Sequence, residues 1–271
     1  NIIILAAGVG KRMKSKTPKV LHTILGKPLI QFVTDLADSL RPQKIIMVVS
    51  KNYTAIKKNV GSKKIKFVIQ DPPLGTGDAA KKALKSFNQG KVLILSGDVP
   101  LLKKETIEKL IGFHAEHKAD LTVVSALLEN PYGFGRIVKR RDGQINRIVE
   151  EIDANENEKK LKLINGGIYY ANIPALKKAL NIIRPDNKQG EYYLTDAVKM
   201  IVKNRGRVFP FPVCDPTEVL GINSKWELAQ IRNIVKERYF KKLTLEGVLI
   251  EDPSTTIIDL SVKIGRNVTI R

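Results

Sequence analysis

The chain opens on a strand that ends in glycine and then in cations, and that order constrains everything after it. Ile2-Ile3-Ile4-Leu5 is uncharged and mostly β-branched, the pattern of a strand covered on both faces. It stops in Ala6-Ala7-Gly8-Val9-Gly10. Lys11, Arg12, Lys14, Lys16 and Lys19 follow with no acid among them, and the first carboxylate of the chain is Asp35. Glycines let backbone N–H groups approach an oxygen closely, because no Cβ intervenes. The cations offset the charge that a polyanion brings. This predicts a phosphate-binding loop; an ordinary strand-to-helix turn also accounts for a bare Gly-x-Gly. Two other phosphate loops are excluded. A dinucleotide loop needs glycine where Met13 stands. A P-loop needs Gly-Lys-Ser/Thr where Gly10-Lys11-Arg12 stands.

The strand–helix rhythm continues. Apolar residues at helical spacing predict a helix over 24–40, ending before Arg41-Pro42. Buried strands are predicted at 44–49, 65–69, 91–95 and 121–127, with a lysine-rich helix between the first two. The alternation argues for an α/β fold, a mostly parallel sheet with right-handed crossovers. In such sheets ligands bind beyond the carboxyl ends of the strands. Two loops there carry chemistry. Gln70-Asp71-Pro72-Pro73-Leu74-Gly75-Thr76-Gly77 offers an amide with both donor and acceptor, which suits an imide edge, and glycines that would let backbone meet a base. A Pro/Gly turn capped by Thr76 is the plainer reading. Ser96-Gly97-Asp98-Val99-Pro100-Leu101 sets an aspartate just past a buried strand. Such a carboxylate suits magnesium, which takes few protein ligands; it equally suits the N-cap of a helix near Leu102.

The second half changes character. Residues 130–138 and 145–154 read as a hairpin around Arg141-Asp142-Gly143. A strand follows at 163–170, then Gly190-Glu191-Tyr192-Tyr193-Leu194-Thr195-Asp196, where Thr195 or Asp196 could cap the next helix. Ser224 opens a polar helix to about Lys242, and 247–270 turns β-like. His114 and His117 are three apart without a third ligand, which predicts solvent-facing side chains rather than a metal pair.

A net charge of +20 raises the question of nucleic acid. The cations are spread over pairs such as Lys57-Lys58, Lys63-Lys64, Lys81-Lys82 and Lys241-Lys242, and aromatics are 6% of residues. A basic stripe interleaved with stacking rings is therefore missing, and a nucleic-acid module is the weaker alternative. The single Cys214 cannot form an internal bridge, which predicts a small buried residue in a reducing, cytoplasmic setting. No apolar run approaches the ~20 residues of a membrane span. The chain lacks an initial Met and stops mid-pattern at Arg271, so a piece of a longer protein is expected.

Leu5-Ala6-Ala7-Gly8-x-Gly10-x-Arg12-Met13, followed by Pro18-Lys19-Val20-Leu21, resembles the opening motif of sugar-1-phosphate nucleotidyltransferases. The run through His22 and Gly26-Lys27-Pro28 narrows the resemblance to the bifunctional N-acetylglucosamine-1-phosphate uridylyltransferase/glucosamine-1-phosphate acetyltransferase family. The resemblance implies a Rossmann-like nucleotidyltransferase domain over 1–223, with a nucleotide part to about 128 and a sugar part from about 129. It implies a linker helix over 224–246 and the first coil of a left-handed β-helix over 247–271. The implied reaction joins UTP and N-acetylglucosamine 1-phosphate into UDP-N-acetylglucosamine, a precursor for peptidoglycan, lipopolysaccharide and cell shape, with magnesium. Another sugar or base within the class is the alternative.

By the same resemblance Arg12 and Lys19 are catalytic. Leu5, Ala6, Ala7, Gly8, Gln70, Gly75, Thr76, Ser96 and Gly97 bind the nucleotide. Gly135, Glu150, Asn165 and Asn223 bind the sugar, and Asp98 and Asn223 hold magnesium. Ser96, Ile152 and Gly166 depart from the family's usual aromatic, Lys and Thr. The whole protein is expected to be a homotrimer without membrane or nucleic-acid partners. The present chain is expected to be a monomer without acetyl transfer, its last coil mobile or docked.

Overall fold

The computed structural model describes residues 1–61 and 64–271, so Lys63 of the Lys63-Lys64 pair lies outside the described residues. The uncharged run forms β1 (Ile2–Ala6), buried along almost its whole length. A short antiparallel ribbon follows, β2 (Thr23–Ile24) with β3 (Lys27–Pro28). Its two-residue loop takes positive φ at Leu25 (45°) and Gly26 (77°). That turn ends the predicted helix at its front: α1 spans Leu29–Ser39, not 24–40, because left-handed residues cannot continue a right-handed helix.

Next come β4 (Ile45–Val49), α2 (Thr54–Asn59), β5 (Ile65–Ile69), α3 (Thr76–Leu84), β6 (Lys91–Ser96), α4 (Lys104–Glu116) and β7 (Leu121–Leu127). The predicted hairpin is β8 (Arg136–Lys139) with β9 (Ile145–Val149), followed by α5 (Glu156–Lys159). Then follow β10 (Leu163–Asn172), α6 (Ile173–Leu180), α7 (Leu194–Lys203) and β11 (Val208–Pro212). One sheet takes the order β11-β7-β10-β6-β1-β4-β5, with β8 paired to β10 and β9 to β8. Only β10 runs against the others on that path. The α/β reading with a mostly parallel mixed sheet holds, and one sheet takes in strands from both halves of the chain.

Period-two alternation sorts the strands' side chains onto two faces. Ile3, Ile46, Val48, Val92 and Ile94 pack on one side with α3, α6 and α7. Ile2, Ile4, Met47, Leu93 and Leu95 pack on the other with α1 and α4. Covering both faces makes all-apolar strands stable. It also leaves the carboxyl ends of β1, β5 and β6 on one rim, together with the start of the reversed β10.

Two expectations are corrected here. His114 is buried, not solvent-facing, at 1% exposure. It lies on α4 in line with Ile107 and Leu110, so the apolar stripe carries it inward. Its Nδ1 meets Thr122 Oγ1 at 2.9 Å, and burial holds its pKa below the ordinary value. His117 instead stacks on Phe113, ring centres 3.9 Å apart. Cys214 is exposed, not buried: beyond β11 the chain turns Val213 inward and Cys214 out.

Helix α8 (Lys225–Leu245) begins at Ser224 as expected, with a capping box to Glu227. It is more than a linker. Leu228, Ile231 and Val235 pack on Met13, Ile24, Leu25, Leu29, Leu101 and Ile222 of the main body. The C-terminal stretch pairs β12 (Leu249–Ile250) in parallel with β13 (Thr269–Ile270). Val248 and Ile250 are buried on Phe240 and Leu243, while Ile257 and Val262 stay exposed. The Leu260 N–H donates to Leu25 O at 3.0 Å, so the stretch is docked. Among the described residues, no helix is long and apolar enough to cross a membrane.

Candidate active site

The carboxyl rim of the sheet holds a cleft of about 450 Å³. Leu5, Ala6, Ala7, Gly8, Val9, Gly10 and Lys11 form one wall; Gln70, Gly75 and Thr76 another; Ser96 and Asp98 the floor. Gly8 would meet nothing within 4 Å if it carried a Cβ, so the loop there faces open space. Gly10 differs. Its φ of 67° and a Cβ position only 2.7 Å from Lys19 Cβ make glycine necessary for Lys19 to come near the loop.

Lys19, Asp98 and Asn223 meet, although 79 and 204 residues of sequence separate Lys19 from its two partners. The Lys19 ammonium donates to Asp98 Oδ2 and, at 3.1 Å, to Asn223 Oδ1. Local chemistry sets each group. Asp98 follows β6, and its carbonyl accepts from Ile222 N–H at 3.0 Å, which ties the Asp98 loop to the Asn223 loop. The Asn223 backbone N–H donates to Glu227 Oε2 at 2.6 Å, so the start of α8 fixes it. The helix-cap alternative for Asp98 falls, because α4 begins only at Lys104. Two hard oxygens, one of them anionic, already converge on a single cationic nitrogen. That donor set fits a divalent cation that keeps water and substrate oxygens. No group of three or more His, Cys, Asp or Glu that could hold a metal ion occurs among the described residues.

The remaining candidates are distributed as follows. Arg12 sits in a 3₁₀ turn (Lys11–Met13), exposed, and Lys11 rather than Arg12 lines the cleft. Gly97 does not line it either; its N–H donates to Leu5 O at 2.9 Å, and a Cβ there would come within 3.0 Å of that oxygen. Gly75 and Gly77 are needed as glycines because protein packs against them. A Cβ on either would lie 2.6 and 2.9 Å from Tyr192 O. The segment at 191–194 docks on this loop through Gly77 N–H to Tyr192 O at 2.7 Å and Tyr192 N–H to Leu74 O at 2.8 Å. Thr76 caps no turn: its Oγ1 accepts from Leu194 N–H at 3.0 Å. This docking delivers Gln189 and Glu191 to the cleft, two lining residues outside the candidate set.

Gly135, Glu150 and Asn165 form a second cluster beside the cleft. A Cβ on Gly135 would sit 3.3 Å from Glu150 Oε2, so the glycine leaves room there. Glu150 Oε1 accepts from Thr195 Oγ1 at 2.8 Å, which is Thr195's role in place of a helix cap. Burial raises the Glu150 pKa; the Thr195 hydroxyl opposes this, and Asp196 and Asp153 add to it. Asn165 is engaged at both ends, donating to Tyr169 Oη at 2.8 Å and accepting from Gly167 N–H at 3.0 Å. Gly167 O in turn accepts from Ser96 Oγ at 3.2 Å, which joins this cluster to the cleft floor. Arg136, 2% exposed, braces the cluster: its Nη2 reaches Glu151 Oε2 at 2.7 Å and Nη1 reaches Phe134 O. Gly166 is sterically required, since a Cβ would lie 2.7 Å from Val219 Cγ1. Beside Ile152 stands another cation, Lys188, whose Nζ donates to Ile152 O at 2.6 Å.

A mostly parallel sheet with a glycine loop after its first strand, and a cation–carboxylate–amide cluster on the same rim, defines a nucleotidyltransferase domain. The chain belongs to the MobA-like NTP transferase domain family, whose model matches residues 2–154. It is 41% identical over 269 residues to the bifunctional protein GlmU of Caldanaerobacter subterraneus subsp. tengcongensis, covering 99% of this chain and 58% of that protein. The bifunctional protein GlmU of Fervidobacterium nodosum is 43% identical, with 99% and 58% covered. The chain thus spans less than two thirds of these relatives. Among solved structures, UDP-glucose pyrophosphorylase complexed with UDP-glucose superposes with a TM-score of 0.70 at 19% identity, covering 89% of this chain and 98% of that one. HddC from Yersinia pseudotuberculosis, complexed with GMP-PN, gives 0.59 at 24% identity, covering 78% and 89%. Both are likenesses of fold.

Proposed function

We propose that this chain transfers a uridylyl group from UTP to N-acetylglucosamine 1-phosphate, giving UDP-N-acetylglucosamine and pyrophosphate. The convergence of Lys19, Asp98 and Asn223 beside the glycine loop carries this reading. It is a cationic and hard-oxygen site where a triphosphate lies against open backbone. The sugar phosphate oxygen attacks the α-phosphorus in line; the bond from that phosphorus to the bridging oxygen of the β-phosphate breaks, and pyrophosphate leaves. The attacking oxygen is already ionised near neutral pH, so no general base is needed. Catalysis is positioning plus charge stabilisation.

Lys19 meets the charge that grows on the phosphates, with Arg12 arriving from its exposed turn. Asp98 and Asn223 would hold magnesium, which when bound offsets the phosphates' negative charge. Lys19 then shares the two oxygens instead of occupying both. Gln70 and the backbone around Gly75 contact uracil. Leu5, Ala6, Ala7, Gly8, Thr76 and Ser96 surround the nucleotide. Gly135, Glu150 and Asn165 read the sugar, whose hydroxyls suit a carboxylate with an open side. The motif resemblance carried by Leu5-Ala6-Ala7-Gly8, Pro18-Lys19-Val20-Leu21 and Gly26-Lys27-Pro28 supports this choice of base and sugar.

The test is a panel of the four nucleoside triphosphates against several sugar 1-phosphates, read by magnesium-dependent pyrophosphate release. Turnover led by UTP with N-acetylglucosamine 1-phosphate is expected. Turnover led by another pair would move the chain to a different member of the class, and magnesium-independent binding of random DNA without turnover would replace the reading.

A further inference from the structure

We infer that Asp78 is a specificity-determining residue: it fixes which way round the Gln70 amide points, and so selects a nucleobase that offers an imide N–H. The inference rests on the reading of Gln70 as the base contact.

A carboxamide is nearly symmetric in shape, so its hydrogen-bond partners decide its orientation. Gln70 stands just past β5, is 3% exposed, and lines the cleft. One amide N–H donates to Gly75 O at 2.9 Å and the other to Asp78 Oδ2 at 2.8 Å. A peptide carbonyl and a carboxylate both only accept. Turned over, the amide would set its own oxygen against two others, losing two bonds and adding repulsion. Both donors are therefore consumed, and only Oε1 remains for a ligand. Among the described residues no hydrogen bond to Oε1 occurs, and Oε1 is not among the buried atoms left without a partner, so it stays accessible. The sequence alone suggested an amide offering donor and acceptor; the structure leaves it acceptor-only.

Asp78 is itself held. It lies in the first turn of α3, where a carboxylate is favoured by the helix dipole, and pairs with Lys82 Nζ one turn on at 3.2 Å. The chain of control is Lys82 to Asp78 to Gln70. Uracil presents N3–H to an acceptor. Cytosine presents a bare ring nitrogen at the same place and would set acceptor against acceptor. UTP and CTP differ along this edge, so the pair isolates the effect.

The experiment measures kcat/KM for UTP and for CTP, with N-acetylglucosamine 1-phosphate, in the parent, Asp78→Ala and Asp78→Asn. The ratio is unaffected by the folded fraction of each preparation. A buried polar group left facing the wrong partner discriminates strongly, so the parent should favour UTP by at least about 10³. In Asp78→Ala the amide keeps one anchor and can turn, and the ratio should fall by about tenfold or more. Asp78→Asn should fall less, since its carbonyl can still take the N–H. A parent that discriminates, with both variants within about threefold of its ratio, would overturn the role of Asp78 and leave the base reading standing. A parent ratio near one would remove the base reading itself.

Discussion

The two clusters on the rim are built on opposite principles. Around Lys19, charges face one another across an open cleft, with one ammonium shared by a carboxylate and an amide. Around Glu150, the polar groups are already paired among themselves: Thr195 with Glu150, Asn165 with Tyr169 and Gly167, Arg136 with Glu151. The first is a set of charges that a polyanion and a cation can rearrange. The second is a preformed surface whose shape is set before any ligand arrives. The contrast suggests that charge handling and sugar recognition are separable, and that damage to each shows in a different observable.

Four measurements sharpen or break that contrast. Arg136→Met should have the largest effect and should fall on stability. It leaves Glu151 without its cationic partner and frees Phe134 O; breaking a buried pair costs about 3 kcal/mol, the low end because Glu151 still reaches solvent and the Gly133 N–H. Denaturant unfolding reads this. A midpoint unchanged from the parent would show that the second cluster is not braced by Arg136.

Lys19→Ala should fall on activity instead. Losing one charge-assisted contact to a developing charge costs on the order of 2–4 kcal/mol of barrier, or 10²- to 10³-fold in kcat. Steady-state turnover beside a melting curve checks it, and near-parent turnover would take Lys19 out of the chemistry.

Asp98→Asn should raise the magnesium needed for half-maximal activity by about tenfold, since a neutral amide is a weaker hard-cation ligand. Manganese binding in the presence of UTP, followed by paramagnetic resonance, gives a readout independent of turnover. Curves that overlay the parent's would leave Asp98 as a partner of Lys19 only.

The smallest effect is a matter of sign. Burial raises the Glu150 pKa above its ordinary 4.5, so the folded state favours the protonated form. Its stabilising contribution is complete below the unfolded pKa and is lost as pH rises through the folded one. Glu150→Gln should therefore gain stability on the parent as pH rises past that window. Asp215 behaves oppositely. Burial pushes it up, but hydrogen bonds from Thr217 and Lys103, with the Lys103 charge, outweigh this and hold it at about 2. Its contribution is present above the unfolded pKa near 3.8 and fades as pH falls through about 2. Thermal melts across pH 2–8 should thus show both variants departing from the parent as pH rises, Glu150→Gln towards higher stability and Asp215→Asn towards lower. Parallel curves would mean that neither environment differs from water.

Much of this fold was legible because the strands are short, apolar and bounded by glycine, proline or charge. The all-apolar Ile2–Ile4 run signals a doubly covered sheet, and Ser224 with Glu227 announces α8 on local chemistry alone. What escaped depends on pairings distant in sequence. The reversal of β10 is decided by its neighbours β6 and β7, not by its own residues. Nothing near Gly75 and Gly77 in sequence announces Tyr192 packed against them. Gln189 and Glu191 reach the cleft only through that docking. His114 was legible in principle, being seven residues after Ile107 on one helix face, yet a polar residue type argued the other way. In the cation cluster the residue types carried the signal, and geometry supplied what spacing could not: that Lys19 shares both oxygens.

The central claim is that the two clusters divide the labour. Its most direct test is steady-state kinetics of Lys19→Ala and Glu150→Gln side by side, varying N-acetylglucosamine 1-phosphate at saturating UTP and magnesium. The account predicts that Lys19→Ala lowers kcat at least about 10²-fold while the sugar-phosphate KM stays within about threefold, and that Glu150→Gln raises that KM about tenfold while kcat stays within about threefold. A Lys19→Ala enzyme that loses only sugar-phosphate affinity, or a Glu150→Gln enzyme that loses only kcat, would contradict it.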